Sequence, residues 1–260
     1  MDIKHVALSI GDYPLRAKLI GDTSLDKPVI VLLHGGLDCI EMWKSFPEEL
    51  ARASGLAVVA YERFGHGQSG KLTKPRERDY RHDEAEKVLP EVIKGLGLKK
   101  IILVGHSDGG AMALIAAGSL GHQILGICSI SPPLVVNKVV CDGIEEAIKQ
   151  YEKGSLAKRL KVFHGDATDA LFYGWARPWL SEAFKDCTWA DDIKKIKCPT
   201  HVIFGLADVY GYEASLKELQ DHLTVEPEVL LLEKVGHMPH HEAQAEVINS
   251  IIRLCNKISE

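Results

Sequence analysis

Apolar residues fall in short, nearly unbroken runs along much of this chain, and the runs alternate with segments whose apolar positions recur at helical spacing. The runs cover residues 29–33, 56–61, 101–104, 124–130, 200–204 and 229–232. A continuous apolar run suits a strand covered on both faces, as in a parallel sheet. Residues 4–10 and 15–20 flank the Gly11-Asp12 turn and predict an antiparallel opening hairpin. Helical spacing predicts helices over residues 40–53, closed by Gly55, and 83–96, closed near Gly97, with later ones over 214–222 and 242–257. The basic stretch 71–82 is predicted to be exposed. Strands alternating with helices predict an α/β fold with a mostly parallel sheet wrapped on both faces.

The strand rhythm stops between residues 134 and 195. Residues 145–151, 155–163 and 169–179 have helical spacing instead, and Phe172, Tyr173, Trp175 and Trp179 cluster there. This segment reads as a helical lid inserted after a strand, so that residues 1–133 and 196–260 form the α/β core. No internal repeat interrupts the pattern.

One apolar run ends in candidate chemistry. Ile101 to Val104 lead into Gly105-His106-Ser107-Asp108-Gly109-Gly110, followed by the Ala-rich stretch from Ala111 to Ala117. Gly-x-Ser-x-Gly between a strand and a helix fits a nucleophile elbow, a tight turn that lifts a serine hydroxyl above the end of a sheet. A serine hydroxyl needs a base within hydrogen-bond reach, and the base needs a carboxylate to fix its tautomer. His237 follows a strand on a Gly-His turn, and Asp208 follows the run at 200–204 with a fitting loop length. The chain order Ser107, Asp208, His237 agrees with the order known for such elbows. His106 is excluded as the base, since beside the elbow its side chain points away from the serine. His240 and His241 read as solvent or packing residues.

Attack on a carbonyl develops negative charge on oxygen, which two backbone amides usually hold. The amide of Asp108 supplies one. The loop His34-Gly35-Gly36-Leu37 supplies the second, from Gly36 or, failing that, Leu37. Trp43, Phe172, Trp175 and Trp179 either line an apolar substrate pocket or, for those in the lid, form its own small core. Arg63 and Arg177 either hold a substrate carboxylate or make ordinary surface ion pairs.

Composition narrows the setting. A net charge of -5 across 260 residues gives no reason to expect nucleic acid or an anionic membrane as a partner. No apolar stretch is long enough to span a bilayer, and the first twelve residues mix Asp2, Lys4 and His5 into their apolar positions, so a cytoplasmic location is expected. The six cysteines are scattered without a metal-ligand spacing and read as reduced thiols, most of them buried. The expected partner is a small-molecule acyl substrate, with the protein a monomer or homodimer.

His-Gly-Gly, Gly-His-Ser-Asp-Gly-Gly, Gly-x-x-Asp and Gly-His in this order resemble the α/β-hydrolase family across nearly the whole chain. Glu62-Arg63-Phe64-Gly65-His66-Gly67-Gln68-Ser69 also resembles that family's D-x-R-G-x-G-x-S loop, with Glu62 in place of Asp. The resemblance implies an eight-stranded sheet with a helical cap over the active site, and no metal or organic cofactor. It is strongest toward small carboxylesterases, lactonases and C–C-bond hydrolases. Haloalkane dehalogenases and epoxide hydrolases of the family carry Asp at the nucleophile position, whereas Ser107 implies acyl transfer to water. The activity expected is hydrolysis of a small carboxylic ester, thioester or lactone. C–C-bond hydrolysis of a vinylogous diketone and a slow-turnover receptor role are the alternatives.

Overall fold

Every residue of Val29–Leu33, Ala57–Tyr61, Ile101–His106 and Thr200–Gly205 is buried, so these strands need cover on both faces. In the computed structural model, which describes residues 2–72 and 76–259, they lie inside an eight-stranded sheet. Its order is β1-β2-β4-β3-β5-β6-β7-β8. Here β1 is Ile3–Ile10, β2 Tyr13–Ile20, β3 Val29–Leu33, β4 Ala57–Tyr61, β5 Ile101–His106, β6 Ile124–Ile130, β7 Thr200–Gly205 and β8 Glu228–Leu232. The opening hairpin pairs antiparallel and β2 joins β4 antiparallel, while all pairings from β4 to β8 are parallel. The α/β-hydrolase architecture expected from the sequence is the one found.

The strand period of two assigns the layers. Val29, Val31 and Leu33 join a core with Met112, Leu114 and Ile115 of the buried helix that follows the elbow. Ile30 and Leu32 face the other way, onto Phe46, Leu50, Ile251 and Leu254. Full burial of each such side chain stabilises the fold by about 2 kcal/mol before chain entropy is charged against it. The element lengths follow from this two-sided cover.

Helix boundaries depart from the periodicity where proline intervenes. The helix expected over 40–53 is a 3-10 turn, Ile40–Trp43, and then α1, Phe46–Ser54, with Lys44 at φ 53° between them. Pro47 lies in the first turn of α1, where its missing N–H breaks no hydrogen bond. In the same way Asp83–Val88 forms a wide π turn before α2, Leu89–Gly95, which carries Pro90 in its first turn. The last helix, expected from 242, is a separate turn, Pro239–Glu242, and a helix at Gln244–Ser259.

The segment after β6 is helical. Within it, Val140, Tyr151, Leu160, Phe172 and Phe184 belong to a small apolar cluster of their own. Trp189 and Ile193, near its end, belong to the main core. Of the basic stretch 71–82, residues 73–75 lie outside the described residues, and Arg81 is buried rather than exposed. All six cysteines are free thiols; Cys39, Cys128 and Cys255 are buried and the other three half-buried. Among the described residues no helix is long and apolar enough to cross a membrane.

Candidate active site

Ser107 alone separates β5 from α3, Asp108–Leu120. It takes φ 53° and ψ −119°, a conformation that side chains rarely adopt. The turn is pinned by the Ser107 amide donating to the Ile130 carbonyl at 2.8 Å and by its carbonyl accepting the Ala111 amide at 3.1 Å. A Cβ at Gly105 would lie 2.1 Å from the Gly109 carbonyl oxygen, and one at Gly109 would lie 2.0 Å from that of Leu33. Only glycine lets strand, turn and helix approach so closely.

His237 lies on the loop after β8. Its Nε2 is 3.0 Å from Ser107 Oγ and its Nδ1 is 2.7 Å from Asp208 Oδ2. A carboxylate only accepts, so Nδ1 carries the proton and Nε2 presents its lone pair to the serine hydroxyl. Asp208 is almost wholly buried, and its Oδ1 accepts the Tyr210 amide at 2.9 Å. Glu242 accepts the amides of Gly236 at 2.8 Å and Met238 at 3.1 Å, fixing the backbone on both sides of His237. The Tyr210 ring packs on the His237 ring, with centroids 4.7 Å apart. Burial pushes the Tyr210 phenol up to about 12, so it stays neutral. Nothing in the sequence pointed to Tyr210 or Glu242, whose roles depend on two loops meeting.

His106 faces away from Ser107, as expected from its place in the elbow. Its Nδ1 is 3.2 Å from Asp38 Oδ2 and its Nε2 is 2.8 Å from the His237 carbonyl. Burial alone would raise the Asp38 carboxyl, but the His106 bond and charge outweigh it and hold the group well below the usual carboxylate range. His240 is buried against Trp43 and Phe46, and His241 bonds the Met42 carbonyl at 2.9 Å. Both are packing residues.

The loop after β3 is braced from three sides. Arg63, which is buried, donates to the carbonyls of His34 and Gly35, the latter at 2.8 Å. His34 Nε2 accepts the Arg63 amide at 3.1 Å. His164, from the helical segment, donates Nε2–H to the Leu37 carbonyl at 3.0 Å and accepts the Gly67 amide on Nδ1 at 2.9 Å. With its guanidinium on two carbonyls, Arg63 is a brace for this loop rather than a substrate cation.

A cavity of about 140 Å³ opens over Ser107 and His237. Gly36, Leu37 and Asp108 line it, and the amides of Gly36 and Asp108 donate to no acceptor among the described residues. The glycine at 36 has a further reason: a Cβ there would lie 2.5 Å from Trp175 Cδ1, so the helical segment closes directly onto it. The Asp108 carboxylate is buried and accepts from Arg81 Nε at 3.1 Å and Tyr80 Oη at 2.8 Å. Burial would raise it, and Arg81 more than compensates.

Trp175 and Trp179 line this cavity with Val140 and Ile144. Trp43 and Phe172, the other two expected pocket residues, do not. Trp43 is in the core under α1, its ring 5.5 Å from that of Phe46. Phe172 stacks on Tyr151 at 3.8 Å in the core of the helical segment. Phe172 lies three positions before Trp175, and its ring packs within the segment while the indole meets Gly36. Arg177 is exposed over the Tyr173 ring and lines an outer groove.

Cys39, Glu41 and Glu62 bring potential metal-ligand atoms within 4.8 Å of one another. Arg16 lies on both carboxylates, and Glu62 also accepts the Gln68 amide at 2.9 Å. Burial pushes the Cys39 thiol up, away from the thiolate a metal would need. The grouping is a structural brace.

The turn at Ser107 thus stands at the end of a parallel sheet, with a histidine and a carboxylate brought to it by later loops. Residues 30–250 match the model of the alpha/beta hydrolase family, and the chain belongs to that family. It is 28% identical over 173 residues to proline iminopeptidase of Lactobacillus delbrueckii subsp. bulgaricus, covering 66% of this chain and 58% of the relative. The chain thus matches little more than half of the length of that relative. It is 25% identical over 228 residues to a bifunctional esterase/perhydrolase of Acinetobacter calcoaceticus, covering 74% of this chain and 79% of the relative. A solved structure of a putative lipase from Acinetobacter baumannii superposes with a TM-score of 0.80 at 21% identity, over 99% of this chain and 92% of that one.

Proposed function

We propose that this protein is a serine hydrolase that cleaves small, uncharged carboxylic esters. The observation that carries the reading is the chain from Ser107 Oγ to His237 Nε2, 3.0 Å, and from His237 Nδ1 to Asp208, 2.7 Å, at the wall of a small cavity. His237 takes the Ser107 proton as Oγ attacks the carbonyl carbon, and the amides of Gly36 and Asp108 hold the oxyanion. Collapse breaks the bond to the alcohol, which leaves with the proton from His237. Water, deprotonated by His237, then attacks the acyl-enzyme and releases the acid and Ser107.

The wall composition supports a neutral substrate. Arg63 and Arg177, the candidate anion holders, are committed to backbone carbonyls or lie on the outer surface. This favours ester cleavage over hydrolysis of an anionic diketone. The carboxylates in the wall, Asp38 and Asp108, are paired with His106 and Arg81, which leaves neither to hold a substrate ammonium. The esterase named among the relatives agrees with this reading.

A fluorophosphonate probe is expected to label Ser107, and p-nitrophenyl acetate turnover is expected to vanish in Ser107→Ala. Wild-type protein that neither reacts with the probe nor turns over the ester would sink the proposal, as would full turnover by the variant.

A further inference from the structure

One donor in the wall of the Ser107 cavity has no partner among the described residues. Trp175, on α4, Thr168–Trp179, lines the cavity, and its Nε1 lies 2.6 Å from the place a Gly36 Cβ would occupy. It is therefore at most about 4 Å from the Gly36 Cα, beside the amide that would hold the oxyanion. Trp179, four residues on, also lines the cavity, but its Nε1 is fully enclosed and out of reach of anything bound there.

The rest of the wall offers this donor nothing. Val140, Ile144 and Leu37 are apolar, and the Asp108 carboxylate is engaged by Arg81 and Tyr80. A pocket with largely apolar walls, no free cation among the described residues and one unpaired N–H beside the Gly36 amide is matched by a neutral acceptor oxygen. A plain alkyl chain would bury that N–H unpaired, at a cost of about 1–3 kcal/mol, and a carboxylate would meet no counter-charge.

Building on the serine-hydrolase reading, we propose that Trp175 selects acyl groups bearing an uncharged ether, hydroxyl or keto oxygen close to the ester carbonyl. The indole is a specificity residue: it recognises the acyl part and leaves the bond-breaking steps to Ser107 and His237. A site built to donate to a substrate oxygen discriminates against the analogue that lacks it, because the site's own polar groups are then left unpaired.

The test uses an isosteric pair, p-nitrophenyl methoxyacetate and p-nitrophenyl butyrate, which differ by oxygen in place of one methylene. Each kcat/KM is divided by the hydroxide-catalysed rate of the same ester, and the quotient of the two is the readout. Because the quotient is internal to each preparation, a partly folded variant does not distort it. The wild type is expected to favour the methoxyacetyl ester by about 10-fold, the value of one net hydrogen bond. In Trp175→Phe the quotient falls toward one. Trp43→Phe is the control: its Nε1 is also buried and unpaired, but it lies in the core away from the cavity, so the quotient holds.

A wild-type quotient near one overturns the inference, as does a quotient that Trp175→Phe does not lower. Wild-type protein that turns over neither ester overturns the serine-hydrolase reading and this inference with it, an outcome distinct from turnover without preference.

Discussion

His106 Nε2 lies 2.8 Å from the carbonyl oxygen of His237, while its Nδ1 lies 3.2 Å from Asp38. The residue before Ser107 thus ties the loop of the candidate base to the loop of the candidate oxyanion donor. Replacing His106 by Phe leaves the half-buried Asp38 carboxylate with only the Gly35 amide, 3.1 Å away, which costs roughly 1.5–3 kcal/mol. Urea unfolding should show that loss, and adding Asp38→Asn should recover most of it. Equal stability of His106→Phe and wild type would show that the pair contributes nothing.

Asp208 holds the Nδ1 proton of His237. Asn at that position can donate to Nδ1 and so favours the wrong tautomer with little change of shape. We expect kcat on p-nitrophenyl acetate to fall about 10⁴-fold in Asp208→Asn. Fluorophosphonate labelling of Ser107 should be slowed in parallel. A loss of less than tenfold would mean that another group orients His237.

At Gly36 a single methyl group would meet Trp175 Cδ1 at 2.5 Å. Gly36→Ala therefore displaces either the indole or the amide of the oxyanion loop. A displacement of about 1 Å there is expected to cost about 100-fold in kcat/KM. Trimming the indole in Gly36→Ala/Trp175→Leu relieves the clash, so the two changes should be non-additive by about 0.5–3 kcal/mol. Strict additivity would mean that the two residues do not touch in solution.

Burial holds His34, His66 and His240 well below the ordinary histidine range. For His34 the geometry agrees, since its Nε2 accepts the Arg63 amide and leaves no room for a second proton. Below pH about 6.5 the unfolded chain takes up protons that the folded chain refuses, so stability falls as pH falls. Each histidine contributes up to about 1.4 kcal/mol per pH unit, or about 4 kcal/mol for three. His82, raised by its hydrogen bond to Asp192, opposes this with one group. Urea unfolding at pH 7.5, 6.0 and 5.0 measures the slope, and a flat profile would contradict the burial of these rings. His66→Gln should lessen the slope by one group.

The element order and the elbow were legible because they depend on neighbours in sequence. Val29–Leu33 is apolar at every position and had to be covered on both sides, and Gly105 and Gly109 had to be glycine for strand and helix to touch. Helix ends were less legible where Pro47 and Pro90 restart the ladder, because proline breaks no bond only in a first turn. For the aromatic residues the sequence supplied candidates without sorting them. Trp175 and Phe172 are three positions apart, yet one indole lies on Gly36 and the other ring lies on Tyr151.

What the sequence determined by itself is the sheet, the turn at Ser107 and the order in which Asp208 and His237 follow it, since apolar period and glycine geometry are local. Only the tertiary structure decided which charges are already spent. Arg63 braces carbonyls, Arg81 neutralises Asp108 and His106 answers Asp38, across separations of 27 to 68 residues. Such pairings are chosen by desolvation, because a buried charge must find a partner wherever the fold places one. They leave the cavity over Ser107 with no unpaired charge among the described residues and with the Trp175 indole in its wall.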